Sequence, residues 1–239
     1  MLIHMKMKNT IKIYTLILTA LFMFTSIISK TSSAQETGGT ITDIEGNRYR
    51  TVIIGGQEWM GENLKVTRFN DGKEIPCVHE MDEWTRFTGP AYSWYDNDIS
   101  NKDNYGALYN WFAASSGKLC PAGWRVPDDS DWEELTGFLG GLNVAGGKLK
   151  ETGTSHWTLP NSGATNETGF SALPGGYRYG QYWARGIFYE MGVNGYWWSA
   201  TECTDTHSWS RTIHAGNTKV YRSFFTKNKG FSVRCIKVN

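Results

Sequence analysis

The apolar run Ile13–Ile28 (IYTLILTALFMFTSII) sets the compartment in which everything after it must fold. It is preceded by Lys6, Lys8 and Lys12 and followed by the small polar stretch 29–34, which ends Ser32-Ser33-Ala34. A basic, then apolar, then small-residue order is that of a secretory signal peptide. Residues 1–34 are therefore expected to be removed, leaving one exported domain over 35–239 that is periplasmic, cell-surface or secreted. The competing reading is an uncleaved anchor, since Lys12 and Lys30 enclose 17 residues, near the lower limit for a spanning helix. The tail is polar rather than a charged stop-transfer flank, so cleavage is the expectation and no membrane span remains after it. The first cysteine is Cys77, far from the apolar run, which argues against a lipid anchor on a cysteine at the cleavage site.

Four cysteines, Cys77, Cys120, Cys203 and Cys235, then become candidates for two disulfides in an oxidising compartment, with three possible connectivities. None sits in a CxxC or a Cys/His cluster, which disfavours structural zinc, and free thiols remain the alternative for either pair. Four of the 24 basic residues and no acidic ones fall within 1–34, so the remainder is mildly acidic. Nucleic acid is excluded as a partner, because its footprint is clustered excess Lys and Arg. The 27 glycines, 11 tryptophans and 12 tyrosines point away from a helix bundle and toward short strands and loops.

Along the chain, Thr40–Asp43, a turn at Glu45-Gly46-Asn47 and the β-branched stretch Arg48–Ile54 read as a hairpin. Gly55-Gly56 then turns into Gln57–Met60. Residues 72–104 lack periodicity and read as a long connection. A helix is expected over Tyr105–Ala114, with Leu108, Trp111 and Phe112 on one face. A second begins after the cap Asp128, with Asp131 three residues on and a stripe of Trp132, Leu135, Phe138 and Leu139, and stops at Gly140-Gly141. Trp209–His214 and Val220–Arg222 read as the arms of a hairpin around Ala215-Gly216-Asn217. Trp209, Arg211 and Ile213 share one face of it, and Ser210, Thr212 and His214 the other.

Several long motifs are familiar. They are TVIIGGQEWMGENL (51–64), YGALYNW (105–111), LCPAGWRVP (119–127), GFSALPGGYR (169–178), GYWWSAT (195–201) and GFSVRC (230–235). Together they resemble the Fibrobacter succinogenes major paralogous domain, over about residues 40–239. The order of a helix, Arg125-Val126-Pro127, an acidic-capped helix with Trp132-Glu133, a late Trp-Trp-Ser and a closing Gly-Phe-x-x-Arg-Cys is also distantly similar to the formylglycine-generating enzyme and sulfatase-modifying domains. These resemblances imply an α+β, C-type lectin-like fold in which two helices flank small antiparallel sheets with long loops. They also imply a Cys120–Cys235 disulfide, with Cys77–Cys203 as the second pair. The family often carries cysteine where Ser93 stands, a departure that bears on that second pair.

No catalytic set is visible. Oxidases of the formylglycine-generating type need a nearby pair of late cysteines, yet Trp209–Phe225 contains none and Cys203 stands alone there. His79, His156, His207 and His214 are dispersed among serines without a Gly-x-Ser-x-Gly elbow. Glu133-Glu134 reads as the solvated flank of a helix rather than a glycosidase pair. Asp96, Asp98 and Asp103, with neighbouring asparagines, offer hard oxygens for a structural Ca²⁺, although such loops also serve as turns. No other cofactor is expected. Trp59, Trp111, Trp124, Trp132, Trp197 and Phe231 lie in the motifs and read as core. Tyr179, Tyr182, Trp183, Trp209, Arg211, His214, Asn217, Tyr221 and Arg222 lie in the late loops and hairpins. Flat aromatics bordered by Arg and Asn suit stacking on a sugar or anchoring a protein. The expected function is a non-catalytic recognition module for an extracellular glycan or envelope protein, with a structural part of a surface or secreted assembly as the alternative.

Overall fold

The Trp197-Trp198 dipeptide dictates the architecture. Successive side chains on a strand point to opposite faces, so burying both requires a sheet covered on both sides. In the computed structural model, which describes residues 37–180 and 187–238, both indoles are fully buried. Trp197 joins one cluster with Trp59, Trp132, Trp157 and Phe170. Trp198 joins the other with Tyr109, Trp111, Tyr196 and Phe231. A buried aromatic of this size removes roughly 150–250 Å² from water, about 4–6 kcal/mol each before the entropy of ordering it.

Both tryptophans lie on β9 (Asn194–Thr204), the middle of a five-stranded sheet. Its order is β11 (Val220–Thr226), β10 (His207–His214), β9, β7 (Gly175–Arg178), β8 (Phe188–Met191). Pairing is antiparallel except between β7 and β9. A second five-stranded sheet runs β1 (Thr37–Thr42), β2 (Arg48–Ile54), β3 (Gln57–Met60), β12 (Ile236–Lys237), β6 (Trp124–Arg125). The last strand thus closes against the first ones, and the Cys120–Cys235 disulfide ties it to the segment before β6. A two-stranded ribbon pairs β4 (Tyr92–Ser93) with β5 (Leu108–Tyr109). Five short helices accompany the sheets among the described residues: α1 (Met81–Arg86), α2 (Lys102–Tyr105), α3 (Trp111–Ala114), α4 (Asp129–Phe138) and α5 (Ala145–Leu149). The fold is mixed α/β, mostly strands in curled sheets.

The two N-terminal turns and the late hairpin stand where the sequence places them. The six motif aromatics are all buried. Helix α4 has its acidic start, with the Asp131 carboxylate accepting the Asp128 N–H at 2.6 Å, and ends at Gly140 and Gly141, both at φ +97°. Its stripe is narrower than expected. Trp132, Leu135 and Leu139 are buried, but Phe138 is 65% exposed and lies over Gly55, where a Cβ would come within 2.7 Å of its ring.

The helix expected over Tyr105–Ala114 does not form as one element. Gly106 takes φ +73° and passes so close to Leu64 and Asn63 that a Cβ would meet the Leu64 carbonyl at 2.7 Å. Leu108-Tyr109 is recruited to the β4 ribbon, and the Asn110 side chain then caps α3 by accepting the Ala113 N–H at 3.1 Å. Tertiary pairing overrides the helical spacing here. The connection 72–104 also holds more structure than its composition suggests, burying Trp84 from α1 under the Arg178 guanidinium.

Four of the motifs meet at Asn63, its own and three others. Its Oδ1 accepts from Trp197 Nε1 and Arg234 Nε, both at 2.9 Å. Its amide donates to the Tyr105 carbonyl at 2.8 Å and to Ser232 Oγ at 3.2 Å. A buried side chain with both ends satisfied fixes the register of the segments it joins.

Candidate recognition surface

The β10–β11 hairpin forms an outer edge of its sheet, and its cross-strand pairs decide which side chains meet. Trp209 pairs with Phe224, Arg211 with Arg222 and His207 with Thr226, so all six share one face. Beneath them lies the N-terminus of α4. Arg211, with 0% exposure, donates from Nη1 to Asp129 Oδ1 at 2.6 Å and from Nη2 to the Asp129 carbonyl at 3.1 Å. Arg222 donates from Nε and Nη2 to Asp129 Oδ2 at 2.9 and 2.7 Å. Burial pushes the Asp129 carboxyl up, but the two guanidiniums outweigh it and hold the group below the usual carboxylate range.

That ion triad orients a platform. The Arg222 guanidinium carbon lies 3.4 Å from the centre of the Trp209 ring. Phe224 stands edge-on to Trp209 at 5.7 Å and 89°, and His207 packs edge-on to Phe224 at 5.7 Å. Phe224 is nevertheless 55% exposed. The Phe224 ring is thus left open to solvent on the edge strand of its sheet. An open recess of about 420 Å³ reaches this face at Thr226. Its walls include Phe87, Phe112, Thr206, Thr226, Lys227 and Asn228. Thr226 Oγ1 and Asn228 Oδ1 are buried there without a hydrogen-bond partner among the described residues.

The structure sorts the expected site residues into separate places. Trp209 and Arg222 are neighbours, with Arg211 directly below them. Arg211 is fully buried, with its guanidinium turned to Asp129 rather than to solvent. Tyr221 projects from the opposite face, 43% exposed, and accepts from Asn217 Nδ2 at 3.1 Å. His214 Nδ1 accepts the Gly216 N–H at 2.7 Å, so His214 and Asn217 shape the turn. Tyr179 follows β7, three strands from β11 in the sheet order, where its ring and those of Tyr177 and Phe225 surround the Lys229 ammonium at 4.4–4.5 Å. Tyr182 and Trp183 lie outside the described residues, as does the 1–34 segment.

The metal and disulfide expectations separate as well. Asp96 is pushed up by burial and by the charge of Asp98. Asp98 accepts the Ser100 N–H at 2.9 Å, and Asp103 pairs with Lys65 at 2.8 Å. Among the described residues no three His, Cys, Asp or Glu side chains converge to hold a metal. Cys120–Cys235 is formed, whereas Cys77 and Cys203 are free thiols, correcting the expected second pair. Cys77 lies on the loop before α1, against Tyr92, while Cys203 lies on β9. Ser93 is fully buried and its hydroxyl has no partner. Nothing in the residue pattern signalled Phe224, the recess or Asp129 as parts of one surface. Only the strand register brings them together.

Residues 52–237 match the model of the family described as the Fibrobacter succinogenes major domain. No curated protein and no solved structure matches the chain.

Proposed function

The chain belongs to the Fibrobacter succinogenes major domain family, and from that premise we propose that it is an exported, non-catalytic recognition module with a C-type lectin-like arrangement. Its ligand is an extracellular glycan, bound along the β10–β11 face. The observation that carries this reading is the Trp209–Arg222–Phe224 platform, held rigid by Asp129 and open to solvent at Phe224. Sugar rings present flat C–H faces to aromatics and hydroxyls to polar groups. The recess beside the platform supplies the latter through Thr206, Thr226 and Asn228. The lectin-like assignment draws on the closing of β12 against β3 and on the disulfide from the segment before β6 to the last strand. Export agrees with that disulfide and with the signal-peptide pattern of 1–34.

The test is a screen of the oxidised protein against glycans and envelope polymers, with Phe224→Ala and Trp209→Ala/Phe224→Ala variants beside it. Phe224 is exposed, so its replacement leaves melting unchanged. Saturable binding that weakens about tenfold, roughly 1.4 kcal/mol, supports the reading. A folded protein that binds no glycan refutes it. A second reading, a structural part of a surface assembly, is favoured by the open β11 edge with Tyr221 and Phe224 on it. It predicts self-association or capture of an envelope protein that these same variants abolish.

A further inference from the structure

A second site lies away from that face, around a free thiol. Cys77 Sγ is 3.3 Å from His79 Nε2. The segment carrying both is held at several points. Val78 N–H donates to the Tyr92 carbonyl at 3.1 Å and Tyr92 N–H to the Pro76 carbonyl at 3.0 Å. The buried Arg178 guanidinium donates to the carbonyls of Val78, His79 and Glu80, and Asn97 Nδ2 donates to that of His79 at 3.1 Å. The thiol is therefore presented against the imidazole by a fixed backbone, although the ring itself is exposed. Cys77 also lines a recess of about 360 Å³ with Thr67, Arg68, Glu74, Ile75 and Tyr92. Arg68 and Glu74 are paired at 2.6 Å on its wall, both partly in solvent.

We propose that Cys77 is a thiol–disulfide exchange site for a small disulfide with amino-acid ends, with His79 receiving the thiol proton. The Cys77 proton passes to His79 and the thiolate attacks one sulfur of the substrate. The bond from Cys77 to that sulfur forms as the substrate's S–S bond breaks, and the departing thiolate recovers the proton from His79. One disulfide is consumed and one is made, so no external oxidant enters. Arg68 and Glu74 supply opposite charges to the carboxylate and ammonium of an amino acid. Burial outweighs the Tyr92 hydroxyl and the Arg178 charge and leaves the thiol above its ordinary range. An adjacent base is what such a thiol needs to react at neutral pH.

The experiment treats the purified protein, its Cys120–Cys235 disulfide intact, with cystine, and with bis(2-hydroxyethyl) disulfide as an uncharged probe. Peptide mass spectrometry then follows both free thiols. Cys77 is expected to be cysteinylated at least tenfold faster than Cys203. His79→Asn slows Cys77 about tenfold and makes its rate climb about tenfold per pH unit, as for an unassisted thiol. Arg68→Ala/Glu74→Ala removes the preference for cystine but keeps the rate with the uncharged probe. Equal rates at Cys77 and Cys203, or no effect of His79→Asn, overturn the exchange site. Equal wild-type rates with both disulfides overturn the amino-acid assignment.

Discussion

Replacing Asp129 with asparagine tests whether the platform is held by charge. The carboxylate is the acceptor that Arg211 and Arg222 share, and Arg211 has no solvent to turn to. An asparagine oxygen can accept from one guanidinium but cannot neutralise two cations facing each other across a β-ladder pair. Breaking a buried ion pair by removing one partner costs about 3–5 kcal/mol. The second guanidinium places this case at the upper end. At roughly 2–4 °C per kcal/mol for a domain of this size, Asp129→Asn should melt about 10–20 °C lower at pH 7. Acid supplies the control. The folded-state carboxyl lies below its unfolded value, so its contribution is fully present above about pH 4 and is lost as pH falls through the folded value. Thermal or urea melts of both proteins at pH 7 and pH 3 should therefore converge on acidification. A gap under about 1 kcal/mol at pH 7, or one that acid leaves unchanged, would refute the argument.

Two further outcomes follow from the fold. Lys150→Met should destabilise by about 3–5 kcal/mol in denaturant melts, since the buried ammonium donates to the Ser162 and Asn217 carbonyls at 2.9 Å and charged hydrogen bonds contribute about 1.5–3 kcal/mol each. Unchanged stability would mean that water fills the place as well. Cys235→Ser opens a loop closed over 115 residues, for which the chain-entropy model gives about 4–5 kcal/mol, read as a lowered urea midpoint relative to the oxidised protein.

Much of the scaffold was legible because its signals are local. Gly55-Gly56, the acidic start and glycine stop of α4, and the turn between β10 and β11 each depend on a few adjacent residues. The Tyr105–Ala114 error arose where a non-local demand, the close approach of Gly106 to Leu64, competes with a 3.6-residue spacing. The site was legible only in part, and for a related reason. Alternation grouped Trp209 with Arg211 correctly, but exposure of a strand face depends on what covers it. Asp129 reaches Arg211 from 82 residues away in sequence. Cys77 and His79 are two residues apart, yet how the thiol meets the imidazole is set by distant groups that hold their backbone, Arg178 among them.

Buried cations explain how so loop-rich a chain holds together. Short strands and short helices leave many interior carbonyls without a ladder partner, and each such group must find a donor. Lys150 serves the carbonyls of Ser162, His214, Ala215 and Asn217, Arg178 those of 78–80, and Arg234 those of Phe170 and Ser171. Burial pulls the three down to about 8, 10 and 9, yet all stay charged near neutrality. A multivalent donor can gather carbonyls from segments that no strand reaches. This differs from a buried ion pair, which hydrophobic residues can often replace without loss because both partners leave together. A carbonyl acceptor belongs to the backbone and cannot be substituted away, so each replaced cation strands several acceptors at once. Exposed pairs such as Arg50–Glu62 carry no such burden and contribute little. The charges that fix this fold are therefore the ones without solvent, and the loops they gather include the segment presenting Cys77 and the turn that joins β10 to β11.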